Sequence, residues 1–279
     1  MVFKLTSETP TRELSEGVMQ VSGPGGCPWV VDPERPHLGG NFDGGDLGTQ
    51  YPEDLWPWLL ETFAPKKMAD VGCGTGETLR WFAKKGVQAI GVEGLPWNVA
   101  RCRERGPETV LEHDFTRQGA CALVPAPELV WCADVAEHVP EAAEAYFLAT
   151  LAQGRVLAMC QGTEANENEG WSHVNNQPES YWIEKLAAVG MIEDPALTAH
   201  SPSSGSPPLP SGMRLAASGA PASATSARPR RHAHSPPLPA CAWTFPGCSG
   251  HLARRIGMSG GRGRSSGLTP AMRMTSRTS

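Results

Sequence analysis

The sequence predicts an α/β protein built on a doubly wound, mostly parallel sheet with helices on both faces. Three observations predict it. Short apolar runs alternate with ten-to-fifteen-residue amphipathic stretches from Glu53 to beyond Met191. Three glycines occupy alternate positions in "VGCGTGETLRWF", Val71–Phe82, where an apolar run passes into an amphipathic one. Each later apolar run also ends in a glycine turn, a carboxylate or a polar loop. That is expected where ligands sit outside the carboxyl ends of parallel strands.

Taken in order, residues 1–50 are rich in Gly, Pro and polar groups. "HLGGNFDGGDLGTQYP" holds five glycines and no periodic apolar face, which reads as a loop or lid. "EDLWPWLLETFAP" reads as a short helix with Leu55, Trp58, Leu59 and Phe63 at helical spacing and Pro57 in its first turn. "KMADVG" is a strand, and "ETLRWFAKKG" a helix with Leu79 and Phe82 inward and Gly86 as its stop. "VQAIGVEG" is a strand, "WNVARCRERG" a helix, and "TVLEHDF" and "ELVWCADV" are strands. "EAAEAYFLATLAQG" is a helix, "RVLAMCQG" a fifth strand, and "PESYWIEKLAAVG" a helix with Tyr181, Trp182 and Leu186 in the core. "MIEDPALT" starts a sixth strand. The chain then divides into a poorly ordered N-terminal extension (1–37), an α/β domain (38–199) and a tail (200–279).

The tail breaks the alternation, with 15 Ser, 11 Pro and "SPPLP" twice. It cannot bury enough apolar surface to offset about 1–2 kcal/mol of backbone ordering entropy per residue, so disorder is expected, with possible contacts to other proteins. Charge divides at the same place. Residues 1–199 hold all 29 acidic residues against 14 Lys and Arg, a net −15, whereas the tail holds ten Arg and no Lys, Asp or Glu. That tail composition is also what GC-rich sequence read out of frame would give. The acidic domain argues against nucleic acid and phosphate-rich partners.

The eight cysteines show no C-x-x-C spacing and no clustering with His, so no metal site is expected. Cys73, Cys102, Cys132 and Cys160 each sit in an apolar segment, as small buried residues do in a reducing compartment. No apolar run suits a signal peptide or a membrane span, which points to a cytoplasmic protein.

The strand ends then specify a ligand. Gly72-Cys73-Gly74-Thr75-Gly76 allows a tight turn and close backbone approach at a helix start. Glu93-Gly94 ends the second strand, 17 residues after Gly76, where an acidic side chain commonly takes ribose hydroxyls. Asp114 and Phe115 end the third, where an adenine would lie, and Asp134 to His138 end the fourth. A nicotinamide dinucleotide would want Gly or Ala where Glu77 stands. S-adenosylmethionine, which has no phosphate and a cationic sulfonium, suits the acidic setting better.

These residues resemble the class I S-adenosylmethionine-dependent methyltransferases, in "ADVGCGTG", "GVEG", "HDF" and "ELVWCADVAEHVPE". Within them the chain is most similar to an uncharacterised group with "GGNxxGGD", "EHV" and "HVNxQPxEYWI" segments, here Gly39–Asp46, Glu137–Val139 and His173–Ile183. The resemblance implies a Rossmann-like methyltransferase fold and methyl transfer to a small-molecule, saccharide or lipid-linked acceptor. It implies that Asp70, Gly72, Cys73, Gly74 and Gly76 hold the methionine part of the cofactor. Glu93 and Gly94 would hold its ribose, Asp114 and Phe115 its adenine, and Asp134 the sulfonium side. His173 and His138 are the expected proton acceptors, and Asn175, Asn176 and Trp171 the expected substrate contacts. Members normally finish the sheet with an antiparallel pair. The tail begins so soon after Leu197 that the final strand is expected to be missing. A catalytically inactive cofactor-binding module and, more distantly, a nicotinamide-dependent oxidoreductase are the alternatives.

Overall fold

The computed structural model describes residues 9, 11–22, 28–42, 55–106, 109–162, 170–200 and 214–218. The alternation read from the sequence folds into one seven-stranded sheet. Its strands are β5 (Lys67–Val71), β6 (Gln88–Glu93), β7 (Thr109–Glu112), β8 (Leu129–Ala133), β9 (Val156–Cys160), β10 (Met191–Glu193) and β11 (Arg214–Ser218). They lie in the order β10-β11-β9-β8-β5-β6-β7. The five strands β5 to β9 run parallel, and β11 runs antiparallel to both β9 and β10.

Helices α1 (Leu55–Phe63), α2 (Glu77–Lys84), α3 (Pro96–Arg105), α5 (Glu141–Leu151) and α6 (Glu179–Ala188) fall where helical spacing predicts them, with a short α4 at Phe115–Gln118. Pro57 lies in the first turn of α1, where its missing N–H costs nothing. Two apolar clusters sandwich the sheet. Leu55, Leu79, Phe82 and Trp131 belong to one, and Val130, Phe147, Trp182 and Leu186 to the other. Strands apolar on both sides, such as the fully buried "VLAMC" of β9, are what a sheet covered on two faces requires. The four cysteines expected to be buried are buried.

The structure corrects three expectations. The final strand is present: Arg214–Ser218 pairs Leu215 with Ala158 of β9 and Ile192 with Ala217 across to β10. "RLAAS" has no β-branched residue and stands between Pro- and Ser-rich stretches, so its strand state comes from pairing on both edges and from burial of Leu215. The α/β unit therefore draws on residues beyond 199, and the remainder of the expected disordered tail lies outside the described residues. "MIEDPALT" is a strand only over Met191–Glu193, and then becomes helix α7 (Pro195–His200) with Pro195 at its first position.

The third correction concerns the N-terminus. Residues expected to be a poorly ordered extension and loop form an antiparallel sheet in the order β1-β2-β3-β4: Thr11–Ser15, Val18–Ser22, Pro28–Val31 and Gly39–Phe42. Its period-two pattern is only four or five residues long per strand, too short to stand out from a polar background. One set of side chains, Val18 and Val30, packs with Leu38 and Leu95. The alternate set, Val21, Trp29 and Val31, packs with Trp171. Asp43–Asp46 of the "GGNFDGGD" segment lies outside the described residues.

Candidate active site

β5 and β8 are neighbours, yet β6 and β7 extend the sheet on one side and β9 on the other. Loops leaving β5 and β8 therefore diverge and open a crevice at their carboxyl ends. A cavity of about 430 Å³ occupies that place, within the range of small-molecule sites. Gly72, at φ 82°, turns the chain out of β5; a Cβ there would lie 2.2 Å from Val135 Cγ2. Gly74, at φ 52°, has nothing within 4 Å of where its Cβ would be, so its backbone stands bare to the cavity it lines. Gly76 lies outside the cavity lining and instead packs against Cys102 at the start of α2.

The acids follow in a row. Glu93 is buried; Oε2 accepts from Gly74 N–H and Oε1 from Leu95 N–H, both at 2.8 Å. Burial raises its pKa despite those donors and a hydrogen bond from Asn98. Asp70, buried at the end of β5, is pushed up to about 8 by loss of solvent, against a hydrogen bond from Thr78 and with Glu93 adding repulsion. Asp114 caps α4: its Oδ1 accepts from Thr116 N–H (2.9 Å) and Oγ1 (2.6 Å) and lies 3.1 Å from His37 Nε2. Burial alone would raise its pKa, but Thr116 and His37 outweigh it and the carboxyl is held below its ordinary range. Asp114 Oδ2 is buried without a hydrogen-bond partner, with Arg117 Nε 3.8 Å away, and both Asp114 and Phe115 line the cavity.

The opposite wall comes from β8 and the loop after β9. Asp134 leaves β8 at φ 53°, a left-handed conformation rare outside glycine and typical of constrained sites. A single 3₁₀ turn, Ala136–His138, then carries Glu137 and His138. The His138 and His173 rings meet edge to face with centroids 4.9 Å apart. Burial, then the nearby His173, lowers the His138 pKa to about 3. Trp171 is buried between the cavity and the N-terminal sheet.

Two expected substrate contacts are placed elsewhere. Asn175 is buried off the cavity. Its N–H donates to the Glu137 carbonyl (2.9 Å), its Nδ2 to the Val139 carbonyl (3.1 Å), and its Oδ1 accepts from Gln177 (3.1 Å). It fastens the His173 loop to the turn bearing His138, a positioning task. Asn176 also lies outside the lining; its amide is buried near Gly162 with neither N nor O hydrogen-bonded.

The sequence reading missed the N-terminal strap. His37, Leu38, Gly39, Gly40 and Asn41 all line the cavity. Gly40 passes so close to His138 that a Cβ would stand 3.1 Å from its Cε1. Glu137 was also passed over as a site residue, although D-x-x-E-H at a strand end was visible as an acid–acid–imidazole sequence. His37 and Asn98 offered no such signal.

A parallel sheet closed by one antiparallel strand, with a bare glycine loop after its first strand and acids ending the next two, defines the class I methyltransferase type of domain. Residues 49–172 match the family model Methyltransf_23, described as a methyltransferase domain. The ubiquinone biosynthesis O-methyltransferase of Ruegeria pomeroyi is 30% identical over 156 residues, covering 54% of this chain and 54% of that one. Its counterpart from Stutzerimonas stutzeri is 36% identical over 144 residues, covering 49% and 57%. The chain thus spans about half the length of the curated relatives it matches. Among solved structures, the sugar N-methyltransferase KedS8 from a Streptoalloteichus species overlaps 59% of this chain and 87% of its own at 16% identity, TM-score 0.46.

Proposed function

We propose that the protein transfers a methyl group from S-adenosylmethionine to an oxygen-bearing small-molecule acceptor. One observation carries the reading: a single cavity is lined on one side by the Gly72–Gly74 backbone, Glu93 and Asp114, and on the other by Asp134, His138, His173 and Trp171. The methionine part of the cofactor would lie on the bare backbone at Gly74. Glu93, with both oxygens already anchored by backbone N–H groups, is oriented to accept ribose hydroxyls. Asp114 Oδ2 offers an acceptor to an adenine amino group, beside the Phe115 ring. Asp134 would stand near the sulfonium.

When bound, that cofactor supplies an electrophilic methyl group on a cationic sulfur. The chain's task is to align the acceptor oxygen in line and exclude water. The C–O bond forms as the C–S bond breaks, the electron pair stays on sulfur, and the acceptor's proton leaves to an imidazole or to solvent. Trp171, His138, His173 and Gly40 form the acceptor side. The matched O-methyltransferases support an oxygen acceptor. The acidic charge of residues 1–199 disfavours nucleic acid. Among the described residues no helix is long and apolar enough to cross a membrane. The inactive-module alternative rested on an incomplete sheet, and the presence of β11 removes that support.

Calorimetric titration of S-adenosylmethionine into the full chain, repeated with Glu93→Ala, tests the reading. Micromolar binding that Glu93→Ala abolishes, with thioether product formed on a panel of hydroxylated acceptors, is the expected result. No binding by the folded chain overturns it.

A further inference from the structure

We infer that Glu137, His138 and His173 form a divalent-cation site on the acceptor side of the cavity. One ligand atom from each, a carboxylate oxygen and two ring nitrogens, lies within 4.8 Å of the other two. Donors around one ion at about 2.1 Å stand roughly 3–4 Å apart, a contraction that rotation of two imidazoles supplies. All three residues line the cavity, so an ion held by them keeps coordination positions open to it.

A second observation points the same way. Glu137 is 2% exposed, yet its Oε2 has no hydrogen-bond partner. A buried carboxylate oxygen left without a donor costs about 1–3 kcal/mol or more, and native proteins rarely retain one without a reason. The neighbouring Asp134 adds negative charge to the same corner. The His138 Nδ1 is likewise buried without a partner. A cation answers both vacant acceptors at once. The surrounding structure holds the donors in place: Asn175 ties the His173 loop to the Glu137 carbonyl and the Val139 carbonyl.

Two imidazoles and one carboxylate favour zinc, cobalt, iron or nickel over magnesium or calcium. In the proposed reaction, on which this part of the inference rests, the open positions would take the acceptor's hydroxyl. The ion lowers that hydroxyl's pKa, so the oxygen loses its proton to solvent before it attacks the methyl carbon. Neither histidine then needs to act as a base by itself.

The test uses the full chain freed of metal by chelation. Co²⁺ is titrated and followed by its visible ligand-field bands, and Zn²⁺ by calorimetry, each with and without S-adenosylmethionine. The expected result is one equivalent of cation, with affinity lowered roughly a hundredfold or more by Glu137→Gln or His173→Ala, while S-adenosylmethionine binding changes less than about threefold. Glu137→Gln keeps the side chain's shape, and its thermal unfolding checks that the fold persists. Cation binding without cofactor binding upholds the site and sinks the methyltransferase reading. Cofactor binding with no stoichiometric cation, or with cation binding indifferent to both substitutions, overturns the site.

Discussion

Asn41 and Asn98 form a reciprocal amide pair: Asn41 Nδ2 donates to Asn98 Oδ1 at 3.0 Å, and Asn98 Nδ2 to Asn41 Oδ1 at 2.8 Å. Asn41 belongs to the N-terminal sheet, whereas Asn98 is buried in α3 and also hydrogen-bonds Glu93. One strap thus reaches the acids at the carboxyl ends of β6 and β7 that line the cavity, through Asn98 to Glu93 and through His37 to Asp114.

Asn41→Ala leaves the Asn98 amide buried with unpaired groups, a loss of about 1–3 kcal/mol. We expect a lower melting temperature and roughly tenfold weaker S-adenosylmethionine binding. The double variant with Asn98→Ala should cost less than the sum of the singles, by about 1 kcal/mol. Strict additivity in denaturant titrations would show that the pair does not couple the sheet to the site.

Gly72 and Gly74 separate fold from ligand. Gly72→Ala drives a Cβ into Val135, so it should lower unfolding free energy by at least about 2 kcal/mol. Gly74→Ala meets open space and carries only the left-handed strain of about 1–2 kcal/mol, but puts a methyl group where the proposed binding mode has the cofactor. Near-normal unfolding with abolished cofactor binding is expected for Gly74→Ala. Unimpaired titration would place the cofactor elsewhere.

Asp70 makes the ligand-free protein pH-sensitive. Its pKa rises from 3.8 to about 8 on folding, so the folded state binds more protons between those values. Stability from this group is full below pH 3.8 and is lost as pH rises toward 8, by up to about 1 kcal/mol per pH unit. Asp70→Asn should flatten the melting-temperature profile over that window. Parallel profiles for the two proteins would refute the assignment.

Leu215 tests the last strand. It is 1% exposed in the cluster that holds Leu55 and Leu79, and Leu215→Ala should cost about 2–5 kcal/mol in urea unfolding. A chain ended at residue 200 should melt well below one ended at residue 220. Equal melting would mean that the sheet is stable without β11.

Much of the α/β unit is legible in the chain because its determinants are local. Leu79 and Phe82 recur at helical spacing, β9 is apolar throughout, and Gly72 to Gly76 can only be a tight turn. The glycine loop, Glu93 and Asp114 follow from the rule that parallel strands present ligands at their carboxyl ends, and the structure brings all three to one cavity. Asn175 and Asn176 show where that reasoning stops. Both are expected, from the sequence, to contact substrate, but whether an amide faces a cavity or packs away from it depends on contacts far along the chain.

By itself, then, the sequence determined the alternation of strands and helices from α1 to α6, the glycine and acidic loops at the strand ends, and the acidic setting. Tertiary structure alone decided three things. "RLAAS" became a strand because β9 and β10 offered edges on both sides. Residues 11–42 became a sheet because Leu95 and Trp171 offered apolar surfaces to its two faces. Glu137, His138 and His173 became one cluster because Asn175 pins a loop from beyond β9 onto a turn after β8. Local propensity reaches only a few residues, whereas each of these depends on free energy of pairing and burial that exists only once distant segments have met.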